Sequence, residues 1–227
     1  MKRKLVIWGA SGHARVVAEI IRLNGEYDIV GFLDDVNPQR HKTAFCGSRI
    51  LGGREQLDHM RANGVRHLIF AFGDCQARLR LSEFVRAEKG FNLAIAIHPR
   101  ATVAEDARVG NGTVIAAGAV ASAASRIGEN VIINTCSSID HECEIQDGAH
   151  ISPGAHLGGK VTVGRGTWIG IGAIVKDGVQ IGRNSQVGAG SIVLEDIPDN
   201  VIAFGAPAKP MEKIGLALAP STTGGRC

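Results

Sequence analysis

The 227-residue chain carries a net charge of +3, too small to argue for a nucleic-acid partner, and is long enough for one large domain or two modest ones. Aromatic residues make up only 4% while glycine is abundant at 30, the composition of a chain that turns many tight corners. The five cysteines (Cys46, Cys75, Cys136, Cys143, Cys227) are odd in number, scattered and without a C-x-x-C pair, which argues against a disulfide framework or zinc knuckle and for a reducing, cytoplasmic compartment.

After the basic start Met1-Lys2-Arg3-Lys4, the apolar run stops at Gly9, too short for the core of a signal peptide, and no later stretch is expected to span a membrane. Leu5 to Trp8 reads as a strand ending in Gly9-Ala10-Ser11-Gly12-His13. A helix with Val16, Val17, Ile20, Ile21 and Leu23 on its apolar face follows and stops near Asn24-Gly25. Ile29 to Leu33 is a second strand, closed by Asp34-Asp35. Strand, glycine-rich turn, helix and strand with a terminal acidic pair is the order of a nucleotide-binding unit. Amides at the helix start would hold a phosphate, and Asp34 or Asp35 a ribose or base. The turn lacks the three-glycine dinucleotide spacing, so an NAD site is not expected, and a turn that merely starts a helix fits the residues equally well.

From Asn37 to Gly53 the chain is polar and loop-like. Leu57 to Met60 reads as a short helix, Val65 to Phe72 as a third strand ending at Gly73-Asp74, and Ala77 to Glu88 as an amphipathic helix with Leu79, Leu81, Phe84 and Val85 inward. Phe91 to Ile97 is a fourth apolar run, closed by His98-Pro99. Residues 1–98 are thus expected to form a small Rossmann-like α/β domain with a parallel sheet.

From Val103 to Val193 an aliphatic residue recurs every six positions, weakened only at Ala121, with a small or β-branched residue four positions after each. This is the hexapeptide signature of a parallel β-helix, expected over 99–205, with a tail from 206 to 227. Three flat sides close one coil, so positions eighteen apart stack at roughly 4.8 Å. First and fifth positions point inward, the sixth outward, and the second to fourth turn the corner. His141 falls at the tip of a corner, and Gly159 stacks on it in the next coil. Glu142 is placed either to orient the imidazole or to pair with its stacked neighbour Lys160. His150 and His156 face outward on two successive sides among apolar neighbours, which reads as a covered face and subunit packing. Cys143 falls inward as core, and Cys136 sits at a corner with no basic neighbour to activate it.

The run from Asn134 to Gly159, N-T-C-S-S-I-D-H-E-C-E-I-Q-D-G-A-H-I-S-P-G-A-H-L-G-G, resembles the bacterial acetyltransferases of nucleotide-linked amino sugars. These include the bacillosamine and perosamine N-acetyltransferases and the related sialic acid O-acetyltransferases. G-A-S-G-H-A-R-V-V-A-E, F-L-D-D and the closing G-A-P-A-K fit in order, so the resemblance covers nearly the whole chain. It implies a left-handed β-helix, a homotrimer with active sites at subunit interfaces, acetyl-CoA as co-substrate and no metal. By matching motif positions it makes His141 the general base and Glu142 its partner. It puts His150 and the Gly159 amide against acetyl-CoA, whose pantetheine passes Ile171 and Gly172. Ser11, Gly12, His13, Asp34 and Asp35 would meet the nucleotide, with Gly73 a further landmark. The expected reaction is acetylation of the 4-amino group of a GDP-perosamine-type or UDP-bacillosamine-precursor-type sugar. The rivals are a sugar or sialic acid O-acetyltransferase, a trimeric zinc hydratase using His141, His150 and His156, and a non-catalytic nucleotide-sensing module.

Overall fold

A computed structural model describes residues 2–213. The first unit contains β1 (Arg3–Trp8), α1 (Gly12–Asn24), β2 (Tyr27–Leu33), β3 (Ala44–Phe45), β4 (Ser48–Gly52), α2 (Leu57–Ala62), β5 (His67–Phe70), α3 (Cys75–Phe84) and β6 (Asn92–Leu93). Its sheet runs β3-β4-β2-β1-β5-β6, parallel except for the β3–β4 hairpin. Leu5, Val6 and Ile7 are wholly buried, as expected of a central parallel strand covered on both faces. Strands β2 and β5 lie on opposite sides of β1, so the connections diverge and leave a crevice at its C-terminal end. Gly9 sits in that crevice with φ +130°, where a Cβ would come within 2.5 Å of the Ala71 carbonyl oxygen.

Three local readings change. The polar stretch from Asn37 to Gly53 is not all loop. Its Cys46-Gly47 turn, both residues with positive φ, closes a hairpin whose second strand buries Ile50 and extends the sheet. Helix α3 begins two residues early because the Asp74 carboxylate accepts from the Ala77 amide at 2.8 Å and caps it. The run from Phe91 to Ile97 belongs to two sheets. The Ala94 amide bonds Leu68 in the first, whereas the Ala96 amide bonds Thr113 in the next. The first coil therefore starts at Ala96–Ile97, paired with Val114–Ile115, before the proline expected to precede it.

From there the chain winds as a left-handed parallel β-helix, a departure from the usual right-handed crossover. Residues eighteen apart pair as the hexads require: Val114 with Ile132, Ser138 with His156, Arg126 with Glu144, His150 with Trp168. Inward first positions such as Ile133, Ile151 and Ile169 and fifth positions such as Ala149, Cys143 and Ala155 form one continuous core. Truncating one of those isoleucines to alanine is expected to cost about 2–5 kcal/mol. Inward hydroxyls are satisfied within the coil stack, with Thr113 donating to Gly128 O at 2.8 Å and Thr167 to Gly182 O at 2.6 Å.

The face carrying Val114, Ile132 and His150 is covered, with those residues 0%, 1% and 7% exposed. The cover is the chain's own first domain, through α1 and the Gly73 loop, and not a second subunit as the outward apolar pattern had suggested. At the far end, Val201–Gly205 continues the same face and pairs antiparallel with Ala208–Lys213. Part of the expected tail is thus built into the sheet, and residues 214–227, with Ser221 to Cys227, lie outside the described residues.

Candidate active site

Three separate places carry most of the predicted site residues. The first is a pocket of about 660 Å³ at the end of β1. Its floor is apolar, made by Trp8, Leu33, Phe72, Ala77, Leu81 and Phe84, and its rim holds Ser11, Asp34, Asp35, Arg54, Asp74 and Arg80. Ser11 precedes α1 without turning its hydroxyl to cap it, and the start of the helix thus borders the pocket. The acidic pair divides its labour. Asp34 is 5% exposed, and its carboxylate accepts from the Val36 and Asn37 amides at 3.0 and 3.1 Å and from the Asn37 side chain. With Arg40 also 3.5 Å away, Asp34 holds the loop at the edge of the pocket. Asp35 is bound by Arg54 through the backbone amide at 2.7 Å and the guanidinium at 2.8 Å, and Arg54 lies over the Trp8 ring at 5.9 Å.

His13 is not in this pocket. The residue is half-buried with its Nε2 buried and unpartnered, and desolvation followed by the charge of Arg78 lowers its pKa to about 4. Gly73 also faces away from the pocket floor, toward His150, whose ring would lie 3.7 Å from a Cβ there. His150 itself stacks flat on Trp168 at 5.5 Å, and its Nε2 accepts from the Asn134 side-chain Nδ2 at 3.3 Å. Its Nδ1 is buried without a partner. Burial, then Arg78, then His13 push its pKa down to about 3, so the ring is neutral near neutral pH.

The second place is the corner Asp140-His141-Glu142. His141 is half exposed, and its Nδ1 lies 3.1 Å from Glu142 Oε2, with Lys160 Nζ 3.8 Å from the same oxygen. Asp140 fixes the corner by accepting the His141 amide at 2.7 Å. Gly159 leaves the imidazole its room: a Cβ would sit 2.6 Å from both Cε1 and Nε2. Its N–H, which the resemblance makes the donor to a thioester carbonyl, donates here to Asp177 Oδ1 at 3.1 Å. The same bond recurs along the helix, from Glu129 N to Asp147 and from Arg183 N to Asp199, which marks it as a way of fastening successive corners.

Ile171 and Gly172 occupy a third corner. Ile171 is 61% exposed, Trp168 and Ile174 beside it are 43% and 49% exposed, and a Cβ on Gly172 would meet nothing within 4 Å. Together they leave exposed apolar surface on either side of the corner. His141 stands on a corner, while His150 and His156 stand on two different faces. One chain therefore does not bring the three imidazoles together, and among the described residues no group of three or more metal-ligating side chains is formed. Leu81 and Phe84, core positions by their spacing in the sequence, line the pocket, as do Trp8, legible only as the end of a strand, and Arg54, which carries no sequence signal.

Residues 4–85 match the family described as the PglD N-terminal domain, and residues 160–195 match the bacterial transferase hexapeptide (six repeats). PerB from Caulobacter crescentus, crystallised with CoA and GDP-perosamine, is 39% identical with a TM-score of 0.87, covering 92% of this chain and 97% of that one. An alanine variant of GDP-perosamine N-acetyltransferase from the same organism, in complex with the same two molecules, is 38% identical over the same shares with the same TM-score. The acetyltransferase domain of PglB from Neisseria gonorrhoeae is 37% identical with a TM-score of 0.86, covering 92% of this chain and all of that one. With this identity sustained across both units, the chain belongs to the acetyl-CoA-dependent sugar N-acetyltransferases of the hexapeptide-repeat superfamily.

Proposed function

We propose that the chain acetylates the 4-amino group of a nucleotide-linked 4-amino-4,6-dideoxy sugar, with His141 as general base. The observation that carries this is the corner itself: a half-exposed imidazole, a carboxylate 3.1 Å from Nδ1, and a glycine leaving the other ring nitrogen open. Glu142 favours the tautomer with a proton on Nδ1, which presents Nε2 as the proton acceptor. Acetyl-CoA supplies an activated acyl carbon. As the sugar nitrogen bonds to that carbon and the C–S bond breaks, Nε2 takes the proton shed by nitrogen and the sulfur leaves with CoA. No side-chain nucleophile is required, so the reading is direct transfer within a ternary complex.

The pocket below β1 takes the nucleotide in this reading, with aromatic and aliphatic walls for the base and Asp35 and Arg54 at the rim. Solved complexes of the Caulobacter relatives with GDP-perosamine support a GDP sugar first and a UDP-linked bacillosamine precursor second. The working assembly is a homotrimer. Ile174 and Ile192 leave an apolar stripe exposed on the His156 face, and His141 and His150 lie on separate sides of one chain, so completing the site calls for a neighbour. An acetyl-CoA-dependent assay over GDP- and UDP-linked 4-amino-4,6-dideoxy sugars tests the reading. Turnover of free sialic acid with none of the nucleotide sugars acetylated would replace it with O-acetylation.

A further inference from the structure

Helix α3 is fastened to the β-helix by one buried side chain. Arg78 is 1% exposed, and its guanidinium donates to five backbone carbonyls. Nη1 reaches Phe72 O at 3.1 Å and Gly73 O at 2.8 Å, Nη2 reaches Gly148 O at 2.8 Å and Ala149 O at 3.3 Å, and Nε reaches Asn130 O at 3.1 Å. Two of these carbonyls belong to the loop after β5, and the other three to two successive corners of the β-helix. Among the described residues no carboxylate lies within ion-pair distance of it.

A buried cation without a counter-ion is costly, and a single ion pair would have fastened the helix as well. What the planar fork adds is geometry, because five acceptors on three segments are satisfied together at only one relative placement of those segments. The segments matter. Gly73 abuts His150, the neighbouring Asp74 lines the nucleotide pocket, and the two corner segments come from the coils that carry Ile132 and His150. Close packing supports the same seam: a Cβ on Gly148 would run into Leu79 at 2.5 Å, and Gln76 bonds Asn184 at 2.8 Å.

We propose that Arg78 is a positioning residue that sets the register between the nucleotide pocket and the β-helix, and so aims the sugar of a bound nucleotide sugar at the acetyl-transfer corner. The inference rests on the proposed function for its kinetic readout but not for its structural one. Arg78→Lys keeps the charge and loses the fork; Arg78→Met loses both. In each folded variant, measured well below its melting temperature, kcat/KM for the nucleotide sugar falls by about 10²-fold, the usual effect of a misplacement near 1 Å, while the acetyl-CoA Kd from calorimetry stays within about twofold. A residue serving only stability would lower the melting temperature and leave KM and kcat of the folded enzyme alone; that result overturns the proposal, as does failure of both variants to fold. Spin labels on cysteines introduced at the exposed Glu19 and Arg126, in a background with Cys46, Cys136 and Cys227 changed to serine, read the register without turnover. The distance distribution is expected to broaden or shift in Arg78→Lys. An unchanged distribution contradicts the proposal even if wild-type enzyme acetylates no sugar, whereas a shifted one with an inactive wild type sinks only the functional reading.

Discussion

The ring of His141 occupies the space that a side chain on Gly159 would fill, with Cε1 and Nε2 both 2.6 Å from the position of the missing Cβ. Glycine at 159 is therefore a requirement of the neighbouring coil, since its own backbone needs no positive φ. Gly159→Ala is expected to push the imidazole off the corner and lower kcat by roughly 10²-fold, the usual contribution of a positioned base. The fold should survive, because the half-exposed His141 ring can swing out toward solvent and the Asp177 bond is retained. Circular dichroism with steady-state kinetics checks both halves; wild-type kcat in this variant would remove the glycine from the mechanism.

Glu142 has two partners within 4 Å, and their roles separate by mutation. If its carboxylate orients His141, Glu142→Ala lowers kcat about tenfold and Lys160→Ala leaves it within about twofold. All three side chains are half exposed or more, so the Lys160 pair itself contributes little to stability. Equal kinetic losses in the two variants would make the ion pair, and not the orientation of the ring, the operative contact.

His13 and His150, both with a depressed pKa, make stability depend on pH in a definite direction. Burial and Arg78 depress both pKa values, to about 4 and about 3, below the ordinary value of 6.5. Between those limits the unfolded chain binds more protons than the folded one, so stability is complete above about pH 6.5 and is lost as pH falls toward 4. At pH 5 the loss should reach a few kcal/mol, about 2 for each ring at most. Urea midpoints at pH 7, 6 and 5 measure it, and His150→Gln should flatten the slope. A midpoint unchanged from pH 7 to 5 would contradict the burial of these rings.

The scaffold was legible in the sequence because a six-residue period leaves each side chain one direction to point. Stacking by eighteen put His141 against Gly159 and His150 against Trp168, and both contacts are present. What the repeat did not reveal lies where the two units meet. The alternation of outward apolar residues shows that a face is covered but not by what, so the first domain's own seat on Ile132 and His150 was read as subunit packing. The pocket was hidden for a related reason: Leu81 and Phe84 have the spacing of a core helix face whether they meet protein or a nucleotide. Asp34 and the Gly159 amide stand at their motif positions, but the motif gives no hint of their bonds to Asn37 and Asp177. Arg78 gave no signal, since an arginine on a helix ordinarily faces water.

The uncovered His156 face supplies a prediction about assembly. Ile174 is 49% exposed at a sixth position where the repeat usually places a partner-facing side chain. Ile174→Asp should leave the coil intact, since the side chain points out, and shift the mass in light scattering from three chains toward one, with activity lost in parallel. A wild-type protein that is already monomeric and active would rule out the interfacial site.

The central claim is that one imidazole takes the proton from the attacking sugar amine. Steady-state kinetics of His141→Asn against wild type, with acetyl-CoA and a GDP-linked 4-amino-4,6-dideoxy sugar, tests it most directly. The account predicts that kcat falls by roughly 10² or more while the acetyl-CoA Kd stays within about twofold. An asparagine variant that turns over near the wild-type rate would contradict it.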